Sequence, residues 1–154
     1  PEPAPEIQRK WFLRQIELAK ETNLPVIIHS RDAAAETMAI IKETKAYECG
    51  GVIHCYSYSP EMAEEYVKMG FYIGVGGVVT FKNTNLKDVI KEIPVERILL
   101  ETDSPYLSPE PYRGKQNSPK NVSVIANYIS NLKCIEINNF SKCVEKNVND
   151  LYGI

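Results

Sequence analysis

Short apolar runs alternate with longer segments of helical periodicity along the whole chain. The longer segments carry apolar residues three and four positions apart, as Trp11, Phe12, Ile16 and Ala19 show in the first of them. The segments predicted as helices are 5–21, 33–45, 59–70, 86–91, 118–132 and 139–152. The segments predicted as strands are 25–29, 51–54, 71–76 and 98–100. Because the strands are apolar almost throughout, we expect parallel strands covered by helices, the α/β class.

Local signals support these boundaries. Ser59, Pro60 and Glu61 combine an N-cap hydroxyl, a proline in the first turn and an early acid, which is typical of a helix start. Gly70 is the kind of residue that follows a helix end. A polar, proline-rich loop over 104–119 separates the last strand from the last two helices.

The totals narrow the class of protein further. A chain of 154 residues is long enough for one domain over 1–154. A net charge of −2 means that any attraction to nucleic acid must be local or supplied by metal ions, and no run of about 18 apolar residues indicates a membrane span. The four cysteines form no C-x-x-C pair, so we expect reduced thiols and a cytoplasmic protein. The first residue is Pro1 rather than Met, which suggests a fragment or a processed product.

The two histidines of the chain both come at the end of a predicted strand. His29 ends "VIIH", His54 ends "GVIH", and Asp103 follows the fourth strand. Sites in parallel α/β folds form at the carboxyl ends of the strands, so we expect these three side chains at one edge. Histidine and aspartate are suitable ligands for Zn, Mn or Mg. The alternative is that each histidine is a hydrogen-bonded residue of the strand edge.

Further residues near this edge have two interpretations each. Glu101 faces the same way as Asp103 by strand alternation, and it either orients a metal ligand from behind, forms a buried ion pair or is an outward-facing acid. Arg31, Lys82 and Arg113 lie on loops at the same end, where they either bind phosphate groups or are solvated surface charges.

Three features of the same region are weaker candidates for a functional role. Gly74 and Gly76 lack the G-x-G-x-x-G spacing of a dinucleotide site and indicate a close backbone approach instead. Cys55 follows His54 but points to the opposite face of the strand, so a packed thiol is favoured over a nucleophile. Tyr58 either stacks on a base or packs in the loop.

The stretches "LPVIIHSRDA", "GVIHCYS", "GGVVTFKN", "ILLETDSPYL" and "RGKQNSPKNV" resemble, in order and spacing, the carboxyl-terminal half of the TatD family of metal-dependent deoxyribonucleases. The resemblance implies a TIM barrel that hydrolyses phosphodiester bonds, chiefly of DNA, with two divalent metal ions. It implies that His29, His54 and Asp103 are metal ligands on strands five, six and eight, and that Asp103 also takes a proton from the attacking water. The loop 113–117 would close over the site, and Tyr58 stands where relatives usually have glycine.

The resemblance also implies what is missing. The family's His-x-His pair and bridging glutamate have no counterpart here, and 154 residues are fewer than the roughly 250 of such a barrel. We therefore expect a half-barrel of four parallel strands, corresponding to strands 5–8 with flanking helices, that holds at most one metal ion well. The isolated chain would be weakly active or inactive. Its two open sheet edges would pair with the missing amino-terminal half or with a second copy.

Two other functions remain open. One is hydrolysis of another ester or amide, such as an aminoacyl-tRNA ester, within the same superfamily. The other is a degenerate, metal-free interaction protein.

Overall fold

The structure has four short strands, each followed by one or more helices. The computed structural model describes residues 3–154, and Pro1, from which the expectation of a fragment started, lies outside the described residues. The α-helices are α1 (Pro5–Thr22), α2 (Ala34–Thr44), α3 (Pro60–Lys68), α4 (Leu86–Glu92), α5 (Val122–Leu132) and α6 (Ile137–Tyr152). The strands are β1 (Val26–His29), β2 (Gly51–His54), β3 (Tyr72–Val75) and β4 (Ile98–Leu100).

The strands form one sheet in the order β1-β2-β3-β4, and every neighbouring pair is parallel. The predicted α/β architecture with four parallel strands is therefore confirmed. In the register of β1 and β2, His29 lies directly opposite His54. Because all strands run the same way, their carboxyl ends form one edge of the sheet.

The predicted element boundaries are correct to within a few residues. Ser59 Oγ accepts a hydrogen bond from the Met62 amide and caps α3, as its sequence predicts. Pro119 begins a 3₁₀ turn over Pro119–Asn121 rather than the helix itself, and α5 starts at Val122. The last helix begins at Ile137, two residues earlier than predicted, because the side chain of Glu136 accepts from the Asn139 amide.

The two faces of the sheet are packed differently. Ile28, Ile53, Ile73 and Ile98 belong to the main core, which the helices cover. Side chains alternate along a strand, so the residues before and after each of these isoleucines face the opposite side of the sheet. On that second face Val52, Tyr72 and Leu99 form a smaller cluster, and Val148 and Leu151 of α6 pack against it. The second face also carries His54 at its upper end, so α6 lies beneath the strand ends where the candidate site is found.

The two outer strands have different edges. The outer side of β1 faces a groove of about 420 Å³ shared with α1, and Leu24 and Ile27 beside it are 59% and 64% exposed. At β4, the buried side chain of Asn147 donates to the carbonyl groups of Ile98 (2.8 Å) and Val95 (2.9 Å). As expected, β1 and β4 are both outer strands with a single strand partner, and at β4 the side chain of Asn147 bonds one outer carbonyl group, that of Ile98.

Across residues 3–154, no helix is both long enough and apolar enough to cross a membrane.

Candidate active site

His54 is the centre of a polar cluster at the carboxyl edge of the sheet. Its Nδ1 atom lies 2.7 Å from Oε2 of Glu101, and its Nε2 atom lies 3.0 Å from Oδ1 of Asp103. The cluster is partly accessible to solvent, since the exposed fractions of the side chains are 28% for His54, 18% for Glu101 and 32% for Asp103. Each nitrogen of one imidazole ring therefore faces a different carboxylate.

Two turns in the left-handed region of backbone conformation shape this cluster. Cys55, directly after β2, has φ 49°, and Asp103 has φ 55°. Left-handed backbone costs a residue other than glycine roughly 1 kcal/mol, with aspartate among the more tolerant. The Cys55 amide donates to Oε1 of Glu101 at 2.6 Å, while Oε2 faces His54. Both oxygens of Glu101 are thus held by donors from the end of β2.

The half-buried position of Glu101 depends on Gly74 in the neighbouring strand. A methyl group at position 74 would lie 2.5 Å from Oε2 of Glu101 and 3.1 Å from the Ile53 carbonyl oxygen. The sequence suggested that Gly74 permits a close approach of backbone, and the group that approaches is a carboxylate. Burial raises the pKa of Glu101, and contacts with His54 and the Cys55 amide oppose that effect.

His29 lies beside the cluster rather than inside it. Its ring centroid is 5.6 Å from that of His54, and its side chain is exposed at the end of the outer strand. Among the described residues, no group of three or more His, Cys, Asp and Glu side chains is spaced to hold a metal ion as it stands. The structure brings His54 and Asp103 into direct contact and leaves His29 one step away.

The three basic residues predicted to bind phosphate are exposed on loops at this end. The guanidinium of Arg113 lies 4.3 Å from the ring centroid of Phe81, a cation–π contact that joins the long loop to the segment after β3. Arg31 and Lys82 make no ion pair within residues 3–154, which leaves their charges to solvent.

The loop after Asp103 is fixed by a buried asparagine. Asn117 donates to the carbonyl groups of Thr102 and Tyr106, both at 2.6 Å, and its own oxygen accepts from Asn121 and the Ser118 amide. These bonds hold the backbone on both sides of Asp103. The family resemblance implied that residues 113–117 close over the site, and what the structure shows is that Asn117 of this loop fixes the backbone around Asp103.

Cys55 has the properties of an inert thiol. Burial, followed by the charges of Asp103 and Glu101, raises its pKa to about 12. The thiolate is the reactive form, so a cysteine in this environment is a poor nucleophile at neutral pH. The low reactivity was predicted from the sequence, but the predicted direction of the side chain was wrong: Cys55 follows the end of β2 in a left-handed conformation, so its thiol lies beside Asp103 instead of on the opposite face.

One network near the site was not predicted. The buried hydroxyl of Ser30, the residue after His29, lies 2.9 Å from the hydroxyl groups of both Thr37 and Tyr58. Nothing in the residue pattern pairs positions 30 and 58, because they meet only through the parallel pairing of β1 with β2.

The chain is similar to proteins described as metal-dependent hydrolases. It is 46% identical over 150 residues to the uncharacterized metal-dependent hydrolase YabD of Bacillus subtilis (strain 168), covering 97% of this chain and 59% of that protein. It is 42% identical over 148 residues to the uncharacterized metal-dependent hydrolase YcfH of Escherichia coli (strain K12), covering 96% and 56%. The chain thus spans less than two thirds of the length of these relatives.

Solved structures give the same relationship. The crystal structure of YjjV, a TatD homologue from Escherichia coli K12, matches all of this chain and 60% of its own with a TM-score of 0.89 at 29% identity. The TatD family hydrolase of Entamoeba histolytica matches 96% of this chain and 57% of its own, with a TM-score of 0.85 at 26% identity. The sequence model of the TatD related DNase family matches residues 1–153, and the chain belongs to that family.

Proposed function

We propose that this chain supplies metal ligands and a proton acceptor to a TatD-type hydrolase that cleaves DNA phosphodiester bonds. The observation that carries the proposal is the position of His54 between two carboxylates. A neutral imidazole has one N–H, and an ionised Glu101 takes it at Nδ1. The lone pair of Nε2 then faces Oδ1 of Asp103, and two such electron-rich atoms 3.0 Å apart are held together by a proton on Nε2 or by a metal ion in its place.

The donor set suits a divalent metal ion. Two ligands that each lie about 2.0–2.2 Å from one ion are roughly 3.0–3.5 Å apart, so His54 Nε2 and Asp103 Oδ1 are close enough to share one ion after a small turn of the imidazole ring. His29 would be the third ligand after a movement toward His54. Glu101 would fix the Nε2 tautomer of His54, as carboxylates behind histidine ligands do. We propose Mg, Mn or Zn as the ion, with at most one held well by this chain.

The chain's own residues then divide the work. When bound, a divalent ion supplies Lewis-acid charge and makes water easier to deprotonate. The carboxylate of Asp103, which would hold the ion through Oδ1, would accept the proton of the attacking water with its other oxygen. The phosphate oxygens are bound by three basic side chains of the loops, Arg31, Lys82 and Arg113. The guanidinium of Arg113 is positioned for this by its contact with the Phe81 ring.

We further propose that the four strands are strands 5–8 of a TIM barrel and that a polypeptide carrying the other strands completes the site. The unbroken order of parallel strands and the greater length of the relatives support this arrangement. The open edge of β1 is where a further parallel strand, from an amino-terminal half or a second copy, would pair. The four free thiols support a cytoplasmic location.

The test measures hydrolysis of single-stranded DNA with Mg, Mn or Zn, by the chain alone and mixed with the amino-terminal part of a longer relative. We expect weak or no cleavage by the chain alone and restored cleavage in the mixture, abolished by a chelator or by Asp103→Asn. Faster cleavage of an aminoacyl ester than of DNA would replace the nuclease assignment with an esterase. No cleavage and no metal binding in the mixture would indicate an interaction protein.

A further inference from the structure

His29 is held in place by its backbone rather than by its own ring. Within residues 3–154 the imidazole of His29 makes no hydrogen bond, and its one aromatic neighbour is His54 at 5.6 Å between ring centroids. β1 is an outer strand, paired with β2 on one side. The direction of the His29 side chain therefore depends on what fixes the chain immediately after it.

Ser30 is that fixed point. It is 6% exposed, and its hydroxyl lies 2.9 Å from the Thr37 hydroxyl in the first turns of α2 and 2.9 Å from the Tyr58 hydroxyl. The same Tyr58 hydroxyl also accepts a longer bond, 3.5 Å, from the Ala33 amide. Tyr58 thus reaches from the loop after β2 to two points in the loop after β1.

Tyr58 is itself well anchored. Its ring packs edge-on against Tyr56 with 6.0 Å between centroids, and its carbonyl oxygen accepts a bond from Asn85, just before α4. Segments that follow three different strands therefore meet at this one residue. β1 has a strand partner on one side only, so contacts with Tyr58 supply a restraint that a second strand would otherwise give.

We propose that Tyr58 is a positioning residue for His29, acting through Ser30, and that it keeps the imidazole next to His54 for a shared metal ion. The proposal rests on the proposed metal site for its purpose, but the restraint on His29 is a property of the metal-free protein. Without the Tyr58 hydroxyl, Ser30 loses one of its two partners and the end of β1 gains freedom. His29 then has to be ordered when the ion binds, which weakens binding.

The chain offers a direct observable, because it contains two histidines in 154 residues. A proton NMR spectrum of the metal-free protein should show two imidazole Cε1–H signals, which His29→Gln and His54→Gln assign. Tyr58→Phe should shift or broaden the His29 signal and leave that of His54 unchanged. Ser30→Ala, which removes the other end of the same bond, should do likewise.

Tyr56→Phe is the matched control. Tyr56 is the edge-on neighbour of Tyr58, but its hydroxyl donates to the Ser59 carbonyl and has no contact with Ser30. Both His signals should stay at their wild-type positions in this variant. If Tyr58→Phe and Ser30→Ala leave the His29 signal unchanged, or if Tyr56→Phe moves it equally, the proposal is wrong.

A Zn²⁺ titration, followed through the same two signals, tests whether the restraint on His29 strengthens metal binding. Tyr58→Phe should weaken binding about three- to tenfold, and in the His29→Gln background it should have no further effect. An equal loss in both backgrounds would show that Tyr58 acts on general structure and not through His29. If wild-type protein binds no Zn²⁺ at His54, the proposed metal site fails, while the metal-free spectra still decide the restraint on His29.

Discussion

The two oxygens of the Glu101 carboxylate contact two neighbouring residues, the imidazole of His54 and the backbone amide of Cys55. Oε2 lies 2.7 Å from Nδ1 of His54, and Oε1 accepts the Cys55 amide at 2.6 Å. A carboxylate can accept both donors, whereas an amide offers one acceptor and one donor group. This difference makes Glu101 testable by a nearly isosteric change.

Glu101→Gln should weaken Zn²⁺ binding about 10- to 100-fold, because one of the two donors loses its acceptor and His54 loses its fixed orientation. It should also lower the free energy of unfolding by about 1–3 kcal/mol. Calorimetric titration and urea unfolding measure the two effects. Glu145→Gln, an exposed change on α6, is the control and should leave both unchanged. Equal behaviour of the two variants would remove Glu101 from the site.

Gly74→Ala should destabilise the protein by about 1–3 kcal/mol, since the new methyl group would lie 2.5 Å from Oε2 of Glu101. Displacement of the carboxylate should also weaken Zn²⁺ binding. Gly76→Ala serves as the control, because its methyl group would lie at an ordinary 3.7 Å from the atoms of Glu101. Thermal unfolding and a metal titration of both variants check this. A Gly74→Ala protein as stable as Gly76→Ala would contradict it.

The residue pattern was sufficient for the α/β class, the parallel strands and the end at which His29, His54 and Asp103 lie. Alternation along a strand also placed Glu101 on the side of Asp103. It could not show which atoms pair, because the contacts of His54 depend on two left-handed turns at Cys55 and Asp103 that no periodicity encodes. The same holds for Tyr58, Ser30 and Asn147, whose partners are far away in sequence and meet only after the strands have paired.

Alkylation of Cys55 should be slow and strongly dependent on pH. Burial and the neighbouring carboxylates raise its pKa to about 12, from an ordinary value of 9.0, so its reaction rate with iodoacetamide should rise about tenfold per pH unit above pH 8. Cys134 is exposed and should react much faster at pH 8. Mass spectrometry of peptides after timed alkylation measures both rates. Rapid labelling of Cys55 in the folded protein at pH 8 would disagree with a protonated thiol.

The same pKa difference predicts a loss of stability at high pH. The unfolded chain releases the Cys55 proton near its ordinary value of 9.0, while the folded chain keeps it until about 12. The contribution of the protonated Cys55 thiol to the free energy of unfolding is therefore fully present below about pH 9 and is lost as the pH rises toward 12. Cys55→Ala should reduce the slope of unfolding free energy against pH between these values. Parallel slopes for the two proteins would rule out this contribution.

Asn147→Ala should lower the free energy of unfolding by about 1–3 kcal/mol, since the carbonyl groups of Val95 and Ile98 lose their donor in a buried place. Urea unfolding measures the loss, with Asn149→Ala, an exposed neighbour, as the control. Gel filtration adds a second measurement, because the freed backbone of β4 should promote association. An Asn147→Ala protein that stays as stable as Asn149→Ala would contradict the role of this side chain.

The unequal edges of the sheet limit how copies of the chain can accumulate. A fibre built head to tail needs equally receptive strands at both ends of every unit, and at β4 the Asn147 side chain already bonds one outer carbonyl group, that of Ile98. Two copies that met through β1 would each use up the more open edge, and further growth would depend on the less receptive edge at β4. The asymmetry therefore favours a closed pair or a single complementing polypeptide over polymerisation.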